Sequence, residues 1–339
     1  MATSPAPAQG QRFVFPEKQK VFLESYDLAP LADDEVRVRV AYSLMSTGTE
    51  NIVFNRLFEP GSHFDNWVKY PFYPGYTGAG VVEEIGKSVT QVKVGDRVAL
   101  RSKHSSHAVA KEADCYKIPD AVPFEQAAWF GLVKITFHGA RRAEYHIGDS
   151  VMVIGAGPIG QMTIRWAHAL GAASIIVADG LPSRLALAKA GGATTTIAKP
   201  IEQAKEEIFA AGKGVGPRVV IDSTGNAAVL TAALGIVANF GRVLLLGDTG
   251  FPQDQHLTKD VLTRGLSIIG VHDSHNTPEW NEKTVSELFF TYMTSGRFNM
   301  EGLATHFFKP EQCMEAYAIA NRDRASTMGI LFDWSGKAA

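Results

Sequence analysis

The sequence predicts an α/β protein of two domains, one rich in β-strands and one built on a doubly wound parallel sheet of six strands. Three observations carry that expectation. The chain has 339 residues, more than one compact core ordinarily organises. Near its start, Val36, Val38 and Val40 alternate with Glu35, Arg37 and Arg39, a period of two that buries one face of a strand. From residue 150 onward short apolar runs alternate with helical patterns, and the first run leads straight into Gly155-Ala156-Gly157-Pro158-Ile159-Gly160.

Met1 to Arg12 are rich in Ala and Pro, lack the basic start and apolar run of a signal peptide, and read as a frayed end. Short strands follow at Val81–Ile85 and Gly95–Val98, each bounded by turn residues. Between Pro123 and Ala143 the apolar spacing becomes helical, which puts a domain boundary on a helix. Six strands are then expected at Val151–Ile154, Ser174–Ala178, Thr195–Ala198, Val219–Asp222, Val243–Leu246 and Ile268–Val271, the alternation of a doubly wound sheet. A helix near Pro278–Ser295, a strand near Thr305–Phe308, a helix near Pro310–Arg322 and a strand near Met328–Phe332 form a tail expected to return to the first domain.

Composition narrows the partners. With 45% hydrophobic and 20% charged residues and a formal charge of −2, the chain offers no basic footprint for nucleic acid or an anionic membrane. No apolar stretch approaches the ~20 residues that span a bilayer, so a small-molecule partner fits best. The two cysteines, Cys115 and Cys313, stand far apart in no metal-binding spacing. That usage suits a reducing cytoplasm.

The glycine motif follows an apolar strand and opens an amphipathic segment ending at Gly171, the context in which it carries chemistry. Gly155, Gly157 and Gly160 permit a tight turn and close backbone approach, while Pro158 and Ile159 start a helix whose free N–H groups and positive dipole end suit a pyrophosphate. Asp179 ends the second strand, nineteen residues beyond Gly160, where a carboxylate accepts the adenosine ribose hydroxyls and repels a 2′-phosphate. NAD is therefore expected over NADP, although Arg184 nearby offers a phosphate partner. Ser223 and Thr224 in Asp222-Ser223-Thr224-Gly225, Gly247 in Gly247-Asp248-Thr249-Gly250, and Val271 with His272 lie at the carboxyl ends of strands. They either line the cofactor or simply turn the chain.

At this point the chain resembles the medium-chain dehydrogenase/reductase superfamily over nearly its whole length. The matching stretches are Gly75–Gly86 (GYTGAGVVEEIG), Val94–Val98 (VGDRV), His138–Arg142 (HGARR), the glycine motif, Asp222–Gly225 and Thr305-His306. The resemblance implies a GroES-like catalytic domain over residues 1–122, a Rossmann domain over 123–272, and a return to the catalytic domain over 273–339, with the active site in the cleft between domains. It also implies a homodimer or homotetramer. Zinc enzymes of the superfamily carry a Cys in a C-G-T-D-like motif, a His-Glu after the glycine of G-H-E, and a Cys or Glu near the next helix. Here those positions read Thr47, Tyr76-Thr77 and Gly131, none a good zinc ligand. The four-cysteine loop is replaced by the Ser, Lys and His residues of Ser102–His107. No metal is expected. Within the superfamily, Ser46–Glu50 (STGTE), Tyr70–Tyr76 (YPFYPGY) and Asp333-Trp334-Ser335 are similar to the branch containing the 3-hydroxyethyl bacteriochlorophyllide dehydrogenases; sugar and cyclitol dehydrogenases share the glycine motif.

Oxidising an alcohol without zinc leaves the developing alkoxide to be stabilised by other groups. Lys134 falls close to the last ligand position, where its ammonium either offsets that charge or snorkels to solvent. Tyr76 stands at the zinc-histidine position and either hydrogen-bonds the substrate oxygen or fills the vacated metal site. Thr49 keeps the hydroxyl and Glu50 the acid of the zinc enzymes, whereas the relay histidine is Ile52. His272, Asp273, Ser274 and His275 lack a third metal ligand, and the two histidines either bind substrate polar groups, bridge a dimer or serve structure; His138 and His306 read as packing residues. Phe54, Phe58, Phe64 and Trp67 mark a loop that forms either an apolar substrate lid or packed surface. The expected activity is zinc-independent, NAD(H)-dependent interconversion of a secondary alcohol and a ketone. A quinone or enone reductase and a non-catalytic NAD(H)-binding protein are the alternatives.

Overall fold

The computed structural model describes residues 9–144 and 146–336, which fall into two compact units. Within the described residues, the first runs up to Arg56, over Trp67–Gly131 and from Ala304 on; the second comprises Leu57–Asn66 and Leu132–Leu303. The sequence put boundaries at 122/123 and 272/273. The contact pattern divides the chain inside the helix Phe130–Ala143 and just before the strand Ala304–Phe308.

In the first unit the long strand Glu35–Leu44 is the organiser. Its alternating valines are fully buried, and it pairs antiparallel with Gly78–Ile85, with His107–Lys111 and with the C-terminal strand Gly329–Asp333. The sheet extends through Ala304–Phe308 on one side and Arg97–Leu100 and Tyr116–Lys117 on the other. Of the tail expected to return, the part from Ala304 on joins the β-rich unit, where Ile330, Leu331 and Phe332 are buried, while the helix Glu282–Thr294 stays with the second unit. A frayed start does not hold throughout: Met1–Ala8 lie outside the described residues, but Gln9–Val14 pairs antiparallel with Phe22–Asp27. Phe13, fully buried, and the Arg12–Glu24 ion pair at 2.8 Å hold that ladder.

The second unit is a six-stranded, all-parallel sheet in the spatial order Thr195–Ile197, Ser174–Ala178, Ser150–Ile154, Val219–Asp222, Arg242–Leu245, Ser267–Gly270. All six strands stand within a residue or two of where sequence placed them. Burial explains why they were legible: Val151 and Val153 join the apolar layer on one face, Met152 and Ile154 the layer on the other, and a strand buried on both faces reads as a continuous apolar run. The order reverses beside Ser150–Ile154, which makes the end of that strand the topological switch point where ligands bind in such sheets.

The helical stretch expected over 123–143 is broken into Phe124–Ala127 and Phe130–Ala143. Thr77 supplies a reason, since its buried hydroxyl donates to the Ala128 carbonyl at 2.6 Å and occupies an acceptor at the break. The helix expected from Pro278 begins at Glu282, where the Asn281 side chain accepts from the N–H groups of Lys283 and Thr284. The Phe-rich loop is packed rather than open. Phe54, Phe58 and Phe64 are buried, with Trp67 half exposed. Its middle part belongs to the second unit because Glu59 N–H donates to the Gly250 carbonyl at 2.9 Å and His63 Nε2 lies 3.0 Å from Asp248.

Candidate active site

The glycine motif forms the turn between Ser150–Ile154 and the helix Pro158–Ala169, with Gly157 as its N-cap and Pro158 in its first turn. Gly155 has φ +86°, a left-handed conformation in which a side chain would also press on Thr224 and Ser223 within 3 Å. A Cβ on Gly160 would sit 1.9 Å from the Gly155 carbonyl oxygen. Position 157 is different: a Cβ there would meet only Arg184 Nη1, at 3.7 Å. The turn therefore presents an open, backbone-lined cradle beside a guanidinium, which fits the pyrophosphate of a dinucleotide.

The surrounding side chains hold that turn. Ser223 Oγ donates to the carbonyls of Ile154 and Gly155 at 2.8 and 2.9 Å, and Thr224 Oγ1 donates to Asp222 Oδ1 at 2.7 Å. Of the two roles left open for Ser223 and Thr224, these bonds supply the turning of the chain. Gly247 is packed so closely on Ser223 and Thr224 that a Cβ would lie 2.5 Å from the Thr224 nitrogen. Burial raises the Asp222 carboxyl from its ordinary range, against the pull of the Thr224 hydrogen bonds. Asp179 reaches back across the motif. Its two oxygens accept from the N–H groups of Ala156 at 2.7 Å and Leu181 at 2.8 Å, and Arg184 Nη1 lies 3.9 Å away. Each oxygen keeps a further lone pair for a ribose hydroxyl.

At the far end of the sheet, Val271 N–H donates to the Leu245 carbonyl at 3.1 Å. His272 is exposed, its Nδ1 2.8 Å from Ser274 Oγ and its N–H directed at His275 Nδ1. The histidines thus tie up their own turn, and among the described residues no group of three or more His, Cys, Asp or Glu could hold a metal. His138 is buried and its Nε2 lacks a hydrogen-bond partner; burial first, then the charge of Lys134, lowers its pKa. Lys134 itself is buried, with Nζ 3.4 Å from Asp273 and 4.0 Å from Glu282. It does not snorkel to solvent; its ammonium is matched by carboxylates.

In the β-rich unit, Thr47 and Thr49 lie half-buried in the first turn of the helix Thr47–Asn55. Glu50, in the same helix, is the centre of a buried network that sequence reasoning did not assemble. Its carboxylate accepts from Ser46 N–H at 2.8 Å, pairs with His104 Nε2 at 3.0 Å, and accepts a short hydrogen bond from the Tyr317 hydroxyl. His104 Nδ1 lies 2.8 Å from Ser43 Oγ, which in turn accepts from Trp334 Nε1 at 2.9 Å. Complete burial, then the neighbouring Glu50 charge, push the Tyr317 phenol well above its ordinary range. The partners come from residues 43, 46, 104, 317 and 334. Only Ser46, Glu50 and Trp334 carried a signal, the first two in the Ser46–Glu50 motif and the last in the Asp-Trp-Ser motif.

Tyr76 donates to Ser46 Oγ at 2.8 Å, which joins it to the edge of this network. Around it stand the positions where zinc enzymes carry ligands. Thr47, Tyr76 and Thr77 offer neutral oxygens, Thr77's hydroxyl already serves the Ala128 carbonyl, and Gly131 offers no side chain. This donor set does not fit zinc, which is held by thiolate, imidazole and carboxylate groups. The space beside Gly131 is filled instead: a Cβ there would lie 3.1 Å from Thr77 Cβ and 3.2 Å from Arg101 Nη1. The Arg101 guanidinium carbon sits 5.4 Å from the Tyr76 ring centre and 5.7 Å from that of Phe130. Tyr76 and Arg101 both open onto a cavity of about 320 Å³ lined also by Arg12 and Lys103.

A GroES-like unit joined to a Rossmann sheet with an intact glycine turn defines a class, the dehydrogenases of alcohol dehydrogenase type. The family model for the alcohol dehydrogenase GroES-like domain matches residues 32–120, and that for zinc-binding dehydrogenases matches residues 158–289. Sorbitol dehydrogenase of Mus musculus is 27% identical over 357 residues, covering 94% of this chain and 95% of its own. An alcohol dehydrogenase of E. coli CFT073 solved with NADH superposes with a TM-score of 0.81 at 21% identity, covering 96% of this chain and 99% of its own. A dehydrogenase of Sinorhizobium meliloti 1021 solved with NADP gives 0.81 at 17%, with 96% and 99% covered. The chain is an oxidoreductase of the medium-chain dehydrogenase/reductase superfamily.

Proposed function

We propose that this oxidoreductase interconverts a secondary alcohol and its ketone, uses NAD(H), and works without zinc. One observation carries the cofactor half of the reading: the glycine turn, its helix start and the Asp179 carboxylate are built as a single hydrogen-bonded unit at the switch point of the sheet. Gly155, Gly157, Pro158, Ile159 and Gly160 with Arg184 would hold the pyrophosphate, Asp179 the ribose, and Gly247, Val271 and His272 the remaining wall. The nicotinamide, when bound, supplies the hydride chemistry. NAD is favoured because Asp179 faces this turn with its negative charge, although the fold also accommodates NADP in a relative.

The alcohol half rests on the β-rich unit and on relatives named as sorbitol and alcohol dehydrogenases. Tyr76 is positioned to hydrogen-bond the reacting oxygen while Ser46 fixes its hydroxyl, with Thr47 and Thr49 beside it in the first turn of their helix. Glu50 orients this arrangement from behind. Zinc independence is inferred from the donor set at Thr47, Tyr76, Thr77 and Gly131.

The test is a panel of polyols, simple secondary alcohols, a hydroxyethyl-bearing tetrapyrrole and the matching ketones, with quinones and enones alongside, followed by nicotinamide absorbance. Turnover of an alcohol–ketone pair is expected, undiminished after dialysis against strong chelator and with no stoichiometric zinc by elemental analysis. Tight NADH binding with no turnover of any substrate makes the protein a cofactor-binding one instead. One tightly held zinc per chain refutes the metal-free reading.

A further inference from the structure

We propose that Arg101 is a catalytic residue: its guanidinium takes the place of the missing metal as the fixed positive charge that stabilises the substrate oxyanion. The inference rests on the alcohol–ketone reading above and adds a residue that the sequence did not point to. Its basis is the guanidinium that fills the space beside Gly131 and Tyr76. Position 131, where relatives with zinc carry a Cys or Glu, is glycine here, and any side chain would begin 3.2 Å from Arg101 Nη1. A side chain at 131 would crowd the guanidinium at its present place, which would have to give by a few tenths of an ångström. The same guanidinium lies over Tyr76 and near Phe130, so the positions equivalent to the zinc histidine and to the last zinc ligand both look onto one cation. Tyr76 and Arg101 share the wall of the 320 Å³ cavity, which Lys103 also lines.

The chemistry of the group suits the task. A guanidinium stays protonated at any working pH, offers five N–H donors in a planar fork, and can donate two of them to one oxygen centre. It neither gains nor loses a proton in the reaction. When the alcohol is oxidised, its hydroxyl proton leaves to water while the oxygen is held as an alkoxide by the Arg101 N–H groups; in the reverse direction the same donors polarise the carbonyl, and water returns the proton.

The experiment uses the full chain with Arg101→Met and Arg101→Lys, and Arg101→Ala for chemical rescue. NAD and NADH affinities should stay within about twofold of the parent in both, because their site lies in the other unit. On a confirmed substrate, Arg101→Met should lose on the order of 100-fold or more in kcat, and Arg101→Lys should retain part of it. Adding free guanidinium ion should restore turnover to Arg101→Ala and leave Arg101→Lys unchanged. A readout independent of turnover is the binding of isobutyrate, a carboxylate mimic of the oxyanion, to the NAD-loaded protein by calorimetry. It should weaken at least about tenfold in Arg101→Met. Arg101→Met that folds and turns over, or binds isobutyrate, within threefold of the parent overturns the proposal, as does a parent that binds no isobutyrate. If Arg101→Met fails to fold, Arg101→Lys with unaltered kcat and isobutyrate affinity overturns it equally. A parent with no turnover on any substrate overturns the dehydrogenase reading, while the isobutyrate arm still decides whether Arg101 is an oxyanion site.

Discussion

The two units have kept different things. In the Rossmann unit the binding apparatus is local and complete: a strand, a glycine turn, a helix start and one carboxylate, with the turn fixed by Ser223 and Asp179. In the β-rich unit the residues Thr47, Tyr76 and Gly131 are set among residues far apart in the chain, with Arg101 beside Gly131 and Glu50 tied to His104 and Tyr317. A dinucleotide cradle is made of backbone, so few sequences satisfy it. A positive charge near a substrate oxygen can be supplied by a metal or a guanidinium, so the residues around it are free to change together.

The largest effect that sharpens this contrast is expected from Glu50→Gln. The amide keeps the shape but turns one acceptor of the network into a donor facing Ser46 N–H, Tyr317 or His104, and a buried charged partner lost in this way costs about 3 kcal/mol or more. Urea unfolding should show that loss in the β-rich unit, while NADH affinity is kept. A stability unchanged within error would mean the network is ornamental.

Next in size is Asp179→Ala in the other unit. It removes both the ribose acceptor and a clamp on Ala156 N–H, and a single hydrogen bond to a charged group contributes about 1.5–3 kcal/mol. NADH should bind at least about tenfold more weakly, with the margin over NADPH reduced. Equal affinities in parent and variant for both cofactors would refute the NAD assignment.

The smallest effect is a pH dependence. Tyr317 ionises in the folded protein only well above the ordinary phenol range, whereas in the unfolded chain it titrates near about pH 10. Its contribution to stability is present below that pH and is lost as pH rises past it, since only the unfolded state releases the proton. Tyr317→Phe should therefore show a shallower alkaline decline than the parent between about pH 10 and 11 in urea midpoints. Tyr26, Tyr42 and Tyr70, also raised by burial, keep part of the slope. Parallel curves for parent and variant would argue that Tyr317 does not sense the Glu50 charge.

The sequence by itself determined the parallel sheet, the glycine turn and Asp179 at the next strand end, because each is written in consecutive residues whose period or spacing has one structural solution. It also determined what the metal positions lack, since Thr47, Tyr76 and Gly131 sit in recognisable motifs. Which side chains surround those positions was decided only in three dimensions. Arg101 follows an ordinary strand, His104 lies in a run of serines and lysine, and Tyr317 sits on a helix more than 260 residues from Glu50. No local pattern marks such residues, because electrostatic pairing and steric exclusion depend on distance in space and not along the chain. The same holds for Lys134, whose motif position suggested a lone charge and whose neighbours Asp273 and Glu282 were fixed by the packing of the Rossmann unit.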